Sequence, residues 1–110
     1  MTETFRSDGK AVEVTLTATT EKGIQVYLDG FFGITMQAGS SGEDVAIEIA
    51  QREHELEVDS GITAAKGDIL YIDTDGEITN TDTDTPFMKV TVEKDSNNYV
   101  WGILLPQKTE

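Results

Sequence analysis

The chain has 110 residues, 37% of them hydrophobic, and carries 21 acidic against 8 basic side chains for a formal net charge of −13. That length gives one domain with one core, and a field of that sign repels phosphate backbones and anionic membrane surfaces, which disfavours nucleic acid and membrane as partners. The absence of cysteine excludes a disulfide framework, thiolate zinc sites, iron–sulfur clusters and cysteine nucleophiles together.

Met1-Thr2-Glu3-Thr4-Phe5-Arg6 lacks the basic and apolar blocks of a signal peptide. No run approaches the roughly 20 apolar residues that span a bilayer. Residues 1–10 read as an extended polar arm with one aromatic, Phe5, and two cations, Arg6 and Lys10. From residue 12 the chain alternates apolar and polar positions with the period of a half-buried strand, first in Val12-Glu13-Val14-Thr15-Leu16-Thr17-Ala18. A turn at Glu21-Lys22-Gly23 leads to Ile24-Gln25-Val26-Tyr27-Leu28. Asp29-Gly30 is a two-residue hairpin signal before Phe31-Phe32-Gly33-Ile34-Thr35-Met36.

Ala38-Gly39-Ser40-Ser41-Gly42-Glu43 is a small-residue loop. Asp44-Val45-Ala46-Ile47-Glu48-Ile49-Ala50 then sets Val45, Ile47 and Ile49 on one face. In residues 51–59 the glutamates Glu53, Glu55 and Glu57 alternate against His54, Leu56 and Val58, which favours a strand with an acidic outer face. Lys66-Gly67-Asp68 is a turn and Ile69-Leu70-Tyr71-Ile72 a short apolar strand. Asp75-Gly76 marks a hairpin into Ile78-Thr79. After a polar loop at 80–86 the alternation resumes over residues 87–94. Asp95-Ser96-Asn97-Asn98 turns the chain into the last strand, Tyr99-Val100-Trp101-Gly102-Ile103-Leu104-Leu105. About nine short strands at roughly ten-residue spacing specify an all-β fold, a small β-barrel or β-sandwich. The reading divides the chain into the arm at 1–10, one domain at 11–106 and a polar tail at 107–110, without an internal repeat.

The residues define no reaction class. Asp73, Asp75 and Glu77 share a strand face and are the candidates for a weak calcium site, but the spacing of an EF-hand loop is missing. They read better as solvated hairpin carboxylates. His54 is the only histidine, so a two-histidine zinc helix is excluded. No serine occupies a glycine-flanked nucleophile elbow, and Ser40-Ser41-Gly42 reads as a turn. No catalytic residue and no cofactor is assigned. Phe31 and Phe32 are adjacent and must point to opposite faces of a strand; one of the pair is the candidate for a subunit interface, the alternative being burial between two layers.

Two segments taken together resemble a known family. They are Gly23-Ile24-Gln25-Val26-Tyr27-Leu28-Asp29-Gly30-Phe31-Phe32-Gly33-Ile34-Thr35 with residues 38–47, and Ala65-Lys66-Gly67-Asp68-Ile69-Leu70-Tyr71-Ile72-Asp73 with Gly76-Glu77-Ile78-Thr79. Their succession resembles the small tailed-phage capsid decoration proteins, also called cement, head-fibre or head-stabilising proteins. The resemblance runs from about Gly23 to Leu105. It departs at Phe87-Met88-Lys89-Val90, where the family usually has a glycine before the penultimate strand. The resemblance implies a β-barrel-like protomer without catalytic residues, a homotrimer on the outer surface of an icosahedral head that bridges major capsid protein subunits and stabilises the shell. It places the protein in the virion, made in the host bacterial cytoplasm. Phe5, Arg6 and Lys10 are then the expected capsid contacts. The rival readings are a lipoyl-like β-barrel carrier domain, suggested by Lys66-Gly67-Asp68-Ile69-Leu70, and a weak calcium-binding β domain at Asp73, Asp75 and Glu77.

Overall fold

A computed structural model describes residues 10–107. Among the described residues the regular structure is entirely β. The strands are β1 (Ala11–Thr15), β2 (Gln25–Leu28), β3 (Phe31–Thr35), β4 (Asp44–Glu48), β5 (Glu53–Glu57), β6 (Ile69–Ile72), β7 (Ile78–Thr79), β8 (Thr85–Val92) and β9 (Tyr99–Leu104). They form two antiparallel sheets, one ordered β1-β4-β3-β2 and the other β5-β9-β8-β6-β7. The all-β reading of the sequence holds, and all nine strands lie where the alternation placed them.

Pairing register decides which side chains meet. In the four-stranded sheet Tyr27 lies opposite Phe32, so both share a face with Ile34. That face turns to the five-stranded sheet. There Phe32 and Ile34 join Leu56, Leu70, Ile72, Phe87, Met88, Val90, Val100 and Leu104 in the main core. Phe32 stacks edge-on with Tyr27, centroids 6.0 Å apart, and tilted against Phe87 at 5.6 Å.

The opposite face of the same sheet carries Val14, Val26, Val45 and Ile47, which with Leu16 make a second, smaller core. The sheet curls into a half-barrel round it. Asp29 helps to hold the curl: its Oδ2 accepts the Thr15 N–H at 2.9 Å, tying the β2–β3 turn to the end of β1. Asp29 and Gly30 both have positive φ, 55° and 84°, the type I′ geometry whose twist matches a two-residue hairpin. A strand that packs on both sides loses its polar alternation, and β3 is buried from Phe32 to Thr35.

One strand of each sheet, β4 in the smaller and β6 in the larger, is entered by the same turn. In Ser40-Ser41-Gly42-Glu43 the Glu43 N–H donates to Ser40 O, and Glu43 Oε1 accepts the Ser40 N–H at 2.6 Å. In Ala65-Lys66-Gly67-Asp68 the Asp68 N–H donates to Ala65 O, and Asp68 Oδ2 accepts the Ala65 N–H at 2.9 Å. Both turns then grip a neighbouring strand. Gly42 N–H donates to Leu16 O and Leu16 N–H to Glu43 O, while Gly67 N–H donates to Val90 O and Val90 N–H to Asp68 O. The sequence shows no repeat here because only the glycine and the acid recur, and the common feature is backbone geometry.

Three contacts lock the sheets together beyond the core. His54 Nε2 on β5 lies 2.9 Å from Glu48 Oε1 on β4, a close polar contact without the alignment of a hydrogen bond. Arg52 Nε sits 3.3 Å from the other oxygen of Glu48. The side-chain amide of Gln107 clasps Phe32: it accepts the Phe32 N–H at 3.0 Å and donates to Phe32 O at 2.8 Å. The amide supplies a ladder rung beyond the last β3–β4 pair, and it holds the chain after β9 against the other sheet.

Candidate interaction surfaces

The residues singled out from sequence fall into three groups. Phe5 and Arg6 lie outside the described residues. Lys10 is exposed at the first described position, and its carbonyl accepts the Ile49 N–H at 2.9 Å, so the β1–β4 ladder extends one residue before β1.

The phenylalanine pair is split by register. Phe32 is 1% exposed and belongs to the main core, so it is withdrawn as a surface contact: its ring is held between Tyr27 and Phe87. Phe31 pairs with Leu28 on the margin of the small core and is 37% exposed. It is the one member of the pair that a second molecule can reach.

The hairpin carboxylates do different work from metal ligands. Asp73 Oδ1 accepts the N–H groups of Asp75 and Glu77, each at 2.9 Å, while Gly76 N–H donates to Asp73 O and Asp73 N–H to Glu77 O. One carboxylate oxygen is thereby engaged inside the turn. Asp75 and Glu77 line a cleft of about 470 Å³ between this turn and β2. No group of three or more His, Cys, Asp or Glu side chains that could hold a metal ion occurs among the described residues.

His54 contacts Glu48 and bridges the sheets, a position explained by structure alone. Ser41 Oγ donates to Thr17 O, which is turn chemistry.

On the outer face of the five-stranded sheet the sequence marks the glutamates of β5 but not the apolar stripe beside them. Along β9 the inward residues Val100, Gly102 and Leu104 are buried, and Tyr99, Trp101 and Ile103 point outward. Across the ladder Glu57, Glu55 and Glu53 stand opposite those three. On the other side Val92 pairs with Trp101 and Lys89 with Ile103, across a bulge between Val90 and Val92. Seven large hydrophobic side chains are substantially exposed among the described residues, and four of them, Val92, Tyr99, Trp101 and Ile103, share this face. The period-2 pattern of β9 has apolar residues at both parities, so the alternation that revealed the strand could not show which parity faces water.

The geometry defines a class before any comparison: a small all-β domain whose salient features are exposed faces rather than an enclosed site. Comparison then supplies the family. The phage cement protein family matches residues 6–105, and the chain belongs to it. No curated protein and no solved structure gives a significant match. Membership assigns a structural role in the phage capsid and makes the protein a component of the virion.

Proposed function

We propose that this protein decorates the outer surface of a tailed-phage icosahedral head and stabilises the shell by bridging major capsid protein subunits as a homotrimer. The observation that carries the reading is the family match over residues 6–105, which spans both sheets. Packaged DNA presses shell subunits apart. A ligand that binds only the assembled arrangement stabilises it in proportion to its occupancy. A trimer that makes three contacts from one rigid body gains effective concentration, so each contact can be individually weak. In this reading the arm, through Phe5, Arg6 and Lys10, orders against the shell, and Phe31 contributes to the contact between protomers. The protein is made in the host bacterial cytoplasm and joins heads there.

Light scattering tests the oligomer: a mass of three chains is expected, and a monomer at all accessible concentrations removes the trimer. Co-sedimentation with phage heads tests the rest. The full chain is expected to pellet with heads and to raise their resistance to heat, and a variant lacking residues 1–10 is expected to lose most of its binding. Full binding by the truncated chain would remove the arm from the mechanism.

A further inference from the structure

We propose that the outer face of β5, β9 and β8 is a docking surface for a strand-like segment of the shell protein that alternates apolar with Lys or Arg side chains. The proposal rests on the capsid reading above and names the contact that reading leaves open. Its basis is the coincidence of an apolar stripe with a row of carboxylates in register. Trp101 is 40% exposed, Tyr99 39%, Ile103 38% and Val92 50%. Their side chains lie side by side because residues two apart on a strand share a face, and paired residues on neighbouring strands stand close.

Beside the stripe runs β5, the edge of its sheet. Charged residues on an edge strand ordinarily keep it from pairing with other chains. That role calls for the glutamates but not for an aromatic stripe on the neighbouring strand. Glu53 reaches across to accept the Thr91 hydroxyl. Glu55 and Glu57, opposite Trp101 and Tyr99, make no hydrogen bond or ion pair among the described residues. A cationic side chain laid over the stripe therefore meets an indole or phenol face and a carboxylate at once, and cation–π attraction and ion pairing add in the same place. Apolar side chains of the same segment cover Ile103 and Val92.

Charge also argues against a second copy of this chain as the occupant. Three carboxylates against the single ammonium of Lys89 leave the face negative, on a molecule of net charge −13. At the Ile103 end the stripe opens into a groove of about 360 Å³ lined by Ile103, Leu105, Lys66 and Lys89. The docked segment is thus expected to be basic over β5 and to lose its positive charge towards this groove.

Trp101 is the only tryptophan of the chain, so its emission reports directly on this face. Two probes are titrated into the full chain: a synthetic peptide alternating Arg and Val, and its counterpart alternating Glu and Val. The Arg peptide is expected to shift Trp101 emission to shorter wavelength, an effect weakened by salt, and the Glu peptide to do nothing. The double variant Glu55→Gln/Glu57→Gln is expected to bind the Arg peptide at least about tenfold more weakly. In parallel, Trp101→Gln and the double variant are sedimented with phage heads, where each is expected to lose at least about tenfold in affinity. Equal responses to the two peptides overturn the proposal, as does wild-type head binding by Trp101→Gln. Concentration-dependent self-association that Trp101→Gln abolishes overturns it in favour of a contact between copies. If the wild-type chain ignores heads while the Arg peptide still binds with the expected dependence, the capsid reading fails and the cationic specificity of the face stands.

Discussion

In each sheet one strand, β4 or β6, is entered by the same turn, and each sheet has a glycine in an inner strand, Gly33 in β3 and Gly102 in β9, at a point of close approach. They differ in what they do with their faces. The four-stranded sheet buries both, one against the larger sheet and the other inside its own curl. The five-stranded sheet buries one and presents Tyr99, Trp101 and Ile103 on the other. Identical local turn chemistry thus leads to opposite surface outcomes. What separates them is the parity of the large apolar residues along the strands. The smaller sheet leaves Phe31 exposed at its margin, whereas the larger leaves a contiguous apolar stripe across one face.

The strongest test of this contrast is to damage each core and ask whether the sheets fail together. Phe87 is fully buried in the main core, and Phe87→Ala is expected to cost about 3–5 kcal/mol, seen as a large fall in the midpoint of urea unfolding. Ile47 is fully buried in the small core, and Ile47→Val is expected to cost about 0.5–1.5 kcal/mol. The informative readout for Ile47→Val is the fluorescence of Trp101, which lies in the other sheet. Phe32, the Glu48–His54 contact and the Gln107 clasp join the sheets. The Trp101 transition is therefore expected to move as far as the far-ultraviolet dichroism does. A stationary Trp101 midpoint would mean that the half-barrel unfolds by itself.

A second pair of variants ranks the two glycines. A Cβ on Gly33 would lie 2.4 Å from Glu48 O, a backbone atom of the paired strand β4 that cannot move without opening the ladder. A Cβ on Gly102 would meet Met88 Cε at 2.4 Å, the free end of a flexible side chain, and Lys89 O at 2.9 Å. Overpacking a core typically costs about 1–3 kcal/mol, occasionally more. Gly33→Ala belongs at or beyond the upper end and Gly102→Ala below it. Thermal melts that reverse this order would show the larger sheet to be the stiffer one.

The strands were legible because alternation and turn residues are local signals, and in this chain they agree. The ends of two strands were read less well. Leu16 looked like a continuation of β1, yet it leaves the strand to be gripped by the Gly42–Glu43 backbone. Pro86 looked like loop, yet it lies within β8; it lacks an N–H for the ladder and is tolerated next to the bulge between Leu70 and Tyr71. Non-local facts were not legible. Nothing near Glu53 announces that its neighbour is Ile103, 50 positions on, so the pairing of the glutamate row with the aromatic stripe could not be seen. The choice between Phe31 and Phe32 likewise needed the β2–β3 register. Gln107 carried no signal at all, because an amide in a polar tail looks the same whether or not it finds a strand.

The carboxylates that first suggested a metal site give the finest comparison in the molecule. Asp73-Thr74-Asp75-Gly76-Glu77 and Asp95-Ser96-Asn97-Asn98-Tyr99 close their hairpins with the same four hydrogen bonds. Asp95 Oδ1 accepts the N–H groups of Asn97 and Tyr99, at 2.9 and 3.0 Å, as Asp73 Oδ1 does for Asp75 and Glu77. Asn98 N–H donates to Asp95 O and Asp95 N–H to Tyr99 O, repeating the backbone pair of the first turn. Only one of the two turns carries an acidic cluster, so the shared aspartate is explained by the turn and not by a cation. Asp73→Ala and Asp95→Ala are accordingly expected to cost the same, about 1–2 kcal/mol each for two lost hydrogen bonds, whether or not calcium is present. A calcium-dependent stabilisation confined to the Asp73 hairpin would revive the metal reading. The smallest effect concerns the fourth position, where the backbone is left-handed, with φ of 83° at Gly76 and 67° at Asn98. Gly76→Ala is expected to cost about 1–2 kcal/mol because a Cβ is strained there. Asn98→Gly exchanges one tolerated residue for another and is expected to stay within about 0.5 kcal/mol. If Asn98→Gly instead costs as much as Gly76→Ala, the Asn98 side chain has a role that its turn geometry does not require.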